Sequence, residues 1–164
     1  MPPPPEPGAA PYADLVVVGA HLSGQPLNGE LLGRGATLVG PVSTAAAYRL
    51  WALDTVPPKP GLLRVRTGGA PVRGEHWRLP VAALGTLVAG LPGPMTIGAV
   101  ELDDGRTLPG FLVEASAVHE VRDITAYGGW VAYLDDREVP RPSRSSMRAS
   151  RAATAASLPW SVGT

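Results

Sequence analysis

His21 follows a short apolar run, in the stretch Leu15-Val16-Val17-Val18-Gly19-Ala20-His21-Leu22-Ser23-Gly24. The β-branched residues predict a buried strand that stops at Gly19. A glycine at a strand end lets backbone N–H groups turn toward a ligand, and successive N–H groups there can form an anion-binding nest. An imidazole at the mouth of that nest is placed to give or take a proton near neutral pH. The chemistry open to the stretch is proton transfer at a small bound anion. The structural alternative is a histidine that merely hydrogen-bonds near a strand end. The stretch is not a dinucleotide fingerprint, because Gly19 and Gly24 lack the third spaced glycine. It is not a P-loop either, because no Gly-Lys-Ser/Thr follows.

Other polar residues offer weaker chemistry. Arg34 and Arg122 could each hold a carboxylate bidentately, against the alternative of a surface ion pair. Glu75 could line an interior; otherwise it is a cross-strand partner for an arginine. His76 is its neighbour in sequence but faces the other side of a strand, so the two are not a ready pair. Tyr127 could reach a pocket, whereas Trp130 and Tyr133 read as core. Asp123 is expected to cap or orient the Tyr127-Gly128-Gly129-Trp130 turn, and His119 to end a short surface helix. The three histidines are far apart and lack ligand spacing, so no metal site is expected. The chain has no cysteine, which excludes disulfides, thiolate metal sites and Cys nucleophiles.

These residues need a scaffold, and 164 residues suit one domain with tails. Residues 1–11 are Pro-rich and predict an extended, disordered leader. Residues 137–164 carry five arginines, many serines and alanines and one acid, and predict a disordered basic tail. The compact domain is expected over 12–136. Its first strand is Leu15–Val18, and Pro26–Arg34 reads as a short helix with Leu27, Leu31 and Leu32 on one side. Further strands are expected at Tyr48–Leu53, Leu62–Arg66 and Val72–Leu79, with Val56–Gly61 as a rigid proline connector. Pro80 should open a helix to about Ala89. Strands Thr96–Leu102 and Thr107–Val113 flank Asp103-Asp104-Gly105-Arg106, a strong hairpin turn. A brief helix is expected at Glu114–Glu120, and a helical segment toward Leu134. Many short strands with few short helices predict an α+β fold with a barrel-like mixed sheet.

The net charge is zero, so bulk electrostatics imply neither a nucleic-acid nor a membrane partner. No apolar run reaches the ~18 residues of a membrane span, and the N-terminus is unlike a signal peptide. A cytoplasmic protein is the expectation. Ala, Gly and Pro are abundant and Lys59 is the sole lysine, as in proteins of GC-rich bacterial genomes.

Several motifs in order point to a family. Gly19-Ala20-His21-Leu22-Ser23-Gly24 with Pro26-Leu27-Asn28, then Tyr48-Arg49-Leu50-Trp51, resemble the C-terminal domain of allophanate hydrolase. So do Pro57-Pro58-Lys59-Pro60-Gly61-Leu62, Gly74-Glu75-His76-Trp77-Arg78-Leu79-Pro80, and Arg122-Asp123-Ile124-Thr125 with Gly128-Gly129-Trp130-Val131-Ala132-Tyr133-Leu134. The resemblance covers about residues 13–135. It implies a gamma-glutamylcyclotransferase-like fold, a small mixed β-barrel with short flanking helices. Two departures stand out. True cyclotransferases carry a Tyr-Gly-Ser/Thr-Leu loop and a catalytic glutamate; here the loop reads Val18-Gly19-Ala20-His21-Leu22, and Leu84–Gly90 contains no acid. The Ser-Ser-Lys amidase triad of the parent enzyme is also missing from this chain.

The resemblance further implies decarboxylation of an N-carboxylated urea derivative in urea and allophanate catabolism. In that reading His21 is the acid, and Gly19, Ala20 and Leu22 bind the substrate through backbone N–H groups. Arg34, Glu75, Arg122 and Tyr127 complete the substrate-binding candidates. No cofactor is expected. The expected partners are a small anionic carboxylated urea-type substrate and an amidase-domain protein, with a homodimer left open. The alternatives are a non-catalytic module that docks onto an amidase-type allophanate hydrolase and, less favoured, a cyclotransferase-like enzyme.

Overall fold

The computed structural model describes residues 11–138. The expected leader and tail therefore lie outside the described residues, except for Pro11, Arg137 and Glu138. The chain divides into two compact units, Met1–Tyr133 and Leu134–Thr164. Of the second, the described residues are the last turn of a helix that contains Arg137 and Glu138.

The apolar run forms β1 (Tyr12–Val17) as predicted. Leu15, Val16 and Val17 are buried to 1% exposure or less, because β1 lies in the middle of a sheet and is covered on both faces. Next come α1 (Asn28–Leu32), β2 (Thr37–Ser43), β3 (Tyr48–Leu53), β4 (Lys59–Arg64) and β5 (Arg73–Pro80). The chain continues with α2 (Val81–Ala89), β6 (Met95–Glu101), β7 (Thr107–Val113), β8 (Arg122–Asp123) and α3 (Trp130–Glu138). Short 3-10 turns at Ala115–Val118 and Thr125–Tyr127 flank β8. Pro80 precedes α2, where its missing N–H costs nothing. The β6–β7 hairpin turns through Gly105, whose φ of +86° suits a residue without Cβ.

Five strands form one sheet in the order β2-β5-β1-β7-β6, and β4-β3-β8 form a second. Pairing is antiparallel except between β1 and β7. The fold is α+β, but the expected barrel does not close. The outer strands β2 and β6 approach only where Thr44 bridges Leu102. Closure needs a continuous ladder around the ring. Here the chain leaves β2 and enters β3 in a separate sheet, so the ladder stops after one bridge.

Four local expectations change. Sequence patterning gives no strand at β2, because Gly40 and Pro41 interrupt it; the structure tolerates them at a sheet edge, with a bulge between Leu38 and Gly40. The helix α1 is shorter than Pro26–Arg34. Its leucines do not share a buried side: Leu31 is fully buried and Leu32 is 58% exposed. Strand β4 begins at Lys59, inside the expected connector, and the two-residue β8 pairs with β3. No helix among the described residues is long and apolar enough to cross a membrane.

Candidate functional site

Beyond β1 the chain makes a series of tight turns before α1. Leu22 N–H donates to Gly19 O at 3.0 Å, Gln25 N–H to Leu22 O at 3.0 Å, and Leu27 N–H to Ala20 O at 2.8 Å. Gly19 packs so closely on the Pro60 ring of β4 that a Cβ there would overlap it. Glu75 of β5 accepts from Ser23 N–H at 2.6 Å and from Ser23 Oγ at 2.8 Å. Asn28 Nδ2 donates to His21 O at 2.9 Å. The loop is thus held from β4, β5 and α1 at once.

His21 is only 7% exposed. Its ring stacks on Phe111 of β7, with centroids 4.6 Å apart and planes 10° from parallel. Nε2 lies 3.0 Å from Glu30 Oε2 of α1. A carboxylate accepts, so this contact assigns the proton to Nε2 and leaves Nδ1 as the second titrating nitrogen. Burial holds the imidazole pKa below its ordinary 6.5; the Glu30 hydrogen bond and charge oppose this, and the charges of Lys59 and Arg34 add to it. Beside the ring is a cavity of about 20 Å³, bordered by Gly19, Ala20, His21, Lys59, Pro60 and Phe111. That is room for about one water-sized group. Among the described residues the amides of Gly19, Ala20 and His21 make no hydrogen bond.

The structure brings only part of the expected set together. Gly19, Ala20 and His21 border the cavity, but the Leu22 N–H is consumed by Gly19 O and is not available to a ligand. Arg34 donates to Glu30 O at 2.9 Å and to Thr86 Oγ1 at 3.4 Å, which places it behind the His21–Glu30 pair. Glu75 binds Ser23 with both oxygens; it supports the loop and is neither a cavity wall nor an arginine partner. Arg122 donates to Tyr127 Oη at 3.2 Å and lies over the Tyr127 and Tyr133 rings. Arg122 and Tyr127 thus pack on each other at β8 and do not border the His21 cavity. Asp123 accepts from Thr125 N–H at 2.9 Å and from Arg49 Nε at 2.7 Å, so it holds the start of the 3-10 turn Thr125–Tyr127 rather than bonding to the expected Tyr127–Trp130 turn; His119 is exposed at the end of a 3-10 turn.

Comparison with known proteins now adds to this geometry. Residues 13–135 match the family described as allophanate hydrolase C-terminal domain. This chain belongs to that family. The urea amidolyase of Saccharomyces cerevisiae is 39% identical over 126 residues, covering 74% of this chain and 7% of that protein. The crystal structure of Kluyveromyces lactis allophanate hydrolase superposes with a TM-score of 0.75 at 35% identity, covering 82% of this chain and 23% of that one. A uropathogenic E. coli-specific protein superposes with a TM-score of 0.72 at 34% identity, covering 76% of this chain and 97% of that one. The allophanate hydrolase C-terminal domain therefore occurs within much longer chains, and this chain spans 7% of the length of its yeast relative. The fold is of the gamma-glutamylcyclotransferase-like type; an AIG2-like mouse protein shares it, with a TM-score of 0.51 at 21% identity. Helix α2 contains no acid.

Four residues of the site escape sequence reasoning: Asn28, Glu30, Lys59 and Phe111. Glu30 and Asn28 follow the loop closely and could be found by asking what α1 returns toward His21. Phe111 arrives only through the parallel β1–β7 pairing, for which the sequence carries no local signal. Lys59 had one signal, its singularity among thirteen arginines.

Proposed function

We propose that this chain decarboxylates a small N-carboxylated urea derivative within urea catabolism, with His21 as the acid. The observation that carries the reading is His21 itself: buried, paired with Glu30, and bordering a cavity with unpaired amides. The substrate is the dianion N-carboxycarbamate. Its C–N bond breaks, the electron pair stays on nitrogen, and nitrogen takes the proton from His21 Nδ1. One CO2 leaves and carbamate remains. The dianion's charge raises the proton affinity of the imidazole on binding, which offsets the effect of burial. Glu30 keeps the imidazolium paired, and the amides of residues 19–21 stabilise carboxylate charge. The cavity is smaller than this dianion, so binding requires it to widen. An amidase-type enzyme supplies the substrate.

The test is CO2 release measured after adding the purified chain to an amidase domain turning over allophanate. The chain should accelerate CO2 release, and His21→Gln should lower that acceleration by about 100-fold or more, the range for a positioned acid. An unchanged rate with the wild-type chain overturns the reading. It would favour the second one, a docking module, which the presence of this domain inside longer relatives supports. Binding of the chain to the amidase domain without faster CO2 release would be its signature.

A further inference from the structure

The described ion pairs of this chain use arginine or histidine as the cation: Arg49 with Asp123, Arg64 with Glu101, Arg78 with Asp14 and Arg106 with Asp104, besides His21 with Glu30 and His76 with Asp14. Lys59 is the only lysine in the sequence. It makes no ion pair or side-chain hydrogen bond among the described residues, yet it borders the His21 cavity. Its backbone is fixed on both sides. Pro58 and Pro60 restrict the chain, Lys59 pairs with Leu53 across the β3–β4 ladder, and Pro60 is wedged against Gly19. A residue whose cation is unpaired among the described residues thus borders the same cavity as the three amides that make no hydrogen bond. Glu30 is engaged by His21, and no acid is among the described residues that border the recess.

We propose that Lys59 is the carboxylate-binding cation of this site, its ammonium holding one end of a small dicarboxylate beside His21. As a statement about the substrate it rests on the decarboxylation reading; as a statement about anion binding it stands on the geometry alone. An ammonium is a compact charge with three rotatable donors. A recess of about 20 Å³ suits a compact ammonium at its edge better than the broad plane of a guanidinium, and it must widen to take the carboxylate. Gly19, Ala20 and His21, whose amides make no hydrogen bond among the described residues, border the same cavity. The charge of Lys59 also disfavours imidazolium at His21, and a bound carboxylate cancels that effect. Substrate capture and protonation of the acid are then coupled through one side chain.

The test uses malonate, a stable dicarboxylate of matching length, titrated into the whole chain by NMR, alongside the CO2-release assay. Lys59→Met should weaken malonate binding by about ten- to a hundredfold, the cost of losing a charge-assisted hydrogen bond. Lys59→Arg should recover only part of it. The His21 ring should titrate at higher pH in Lys59→Met than in the wild type, a change that a merely structural lysine would not produce. In the CO2 assay KM should rise more than kcat falls. Lys59→Gln serves if the Met variant does not fold. Equal malonate affinity in wild type and Lys59→Met overturns the proposal, and so does failure of the wild type to bind malonate. If malonate binding depends on Lys59 but the wild type does not accelerate CO2 release, the anion site stands and the decarboxylation reading falls. If CO2 release is fast and its KM ignores Lys59, the reverse holds.

Discussion

Two histidines in this fold look alike one by one and differ in their neighbourhoods. His21 and His76 are 7% and 4% exposed, and each meets a carboxylate through Nε2, Glu30 at 3.0 Å and Asp14 at 2.8 Å. His76 belongs to a ladder. Asp14 sits opposite Arg78 across β1 and β5, His76 sits opposite Val16, and Asp14 takes a second donor from Arg78 at 3.3 Å. Burial raises the Asp14 pKa, but the His76 and Arg78 hydrogen bonds outweigh it and hold the carboxyl below its ordinary 3.8. That network is satisfied from within the sheet. His21 instead joins a loop to a short helix and faces a recess with an unpaired lysine and unpaired amides. Burial and an acid partner do not distinguish a site from a structural network; unspent polar groups around the histidine do.

The comparison can be broken by mutation, first through activity. His76→Gln should leave CO2 release within about threefold of wild type, against the roughly 100-fold loss for His21→Gln. Equal losses would erase the distinction. Stability should follow a different pattern. A solvent-exposed loop-tip imidazole would be dispensable for folding. The stacked, buried ring of His21 is not. His21→Ala and His76→Ala should each cost about 1–3 kcal/mol in urea unfolding, through lost packing of a buried ring in both and, for the second, a lost hydrogen bond to Asp14, which Arg78 still holds. An unchanged Tm for His21→Ala would show that the ring does not pack on Phe111.

The pH windows separate the two pairs further. The folded-state pKa of His21 lies below 6.5, so the native state binds fewer protons than the unfolded chain just under that value. Its contribution is present above pH 6.5 and is lost as pH falls through the lower folded value. Asp14 has the same sign but acts only below about pH 3.8. Unfolding free energies from pH 8 to pH 3 should therefore show an early decline that His21→Gln flattens. The later decline should be one that Asp14→Asn reduces. An early decline that survives His21→Gln would assign it to another group.

The smallest effect concerns the loop support. Glu75→Gln keeps one acceptor for Ser23 but loses the charge, and should cost about 0.5–1.5 kcal/mol. Its malonate affinity should fall less than that of Lys59→Met, because Glu75 acts only through the loop. A larger fall would place Glu75 within the binding surface.

Taken by itself, the amino-acid order determined most of the local structure. The apolar run of β1, the Asp103–Arg106 hairpin, the proline start of α2 and the helical end near Trp130 all carry signals within a few residues. It also marked His21, because a glycine at a strand end is a local feature. Tertiary structure decided the rest. Strand β2 is legible only once its edge position is known, since an edge tolerates Pro41. Whether the sheets close into a ring depends on where the chain leaves one ladder for another. The same holds for side-chain roles. Glu75 became a loop support, Arg122 and Tyr127 became each other's partners, and Lys59 and Phe111 came to His21 from distant strands. The physical reason is range. Periodicity and turn chemistry act over neighbouring residues, whereas a site is made by groups that meet only after long-range strand pairing. No local pattern records which polar groups that pairing will leave unpaired.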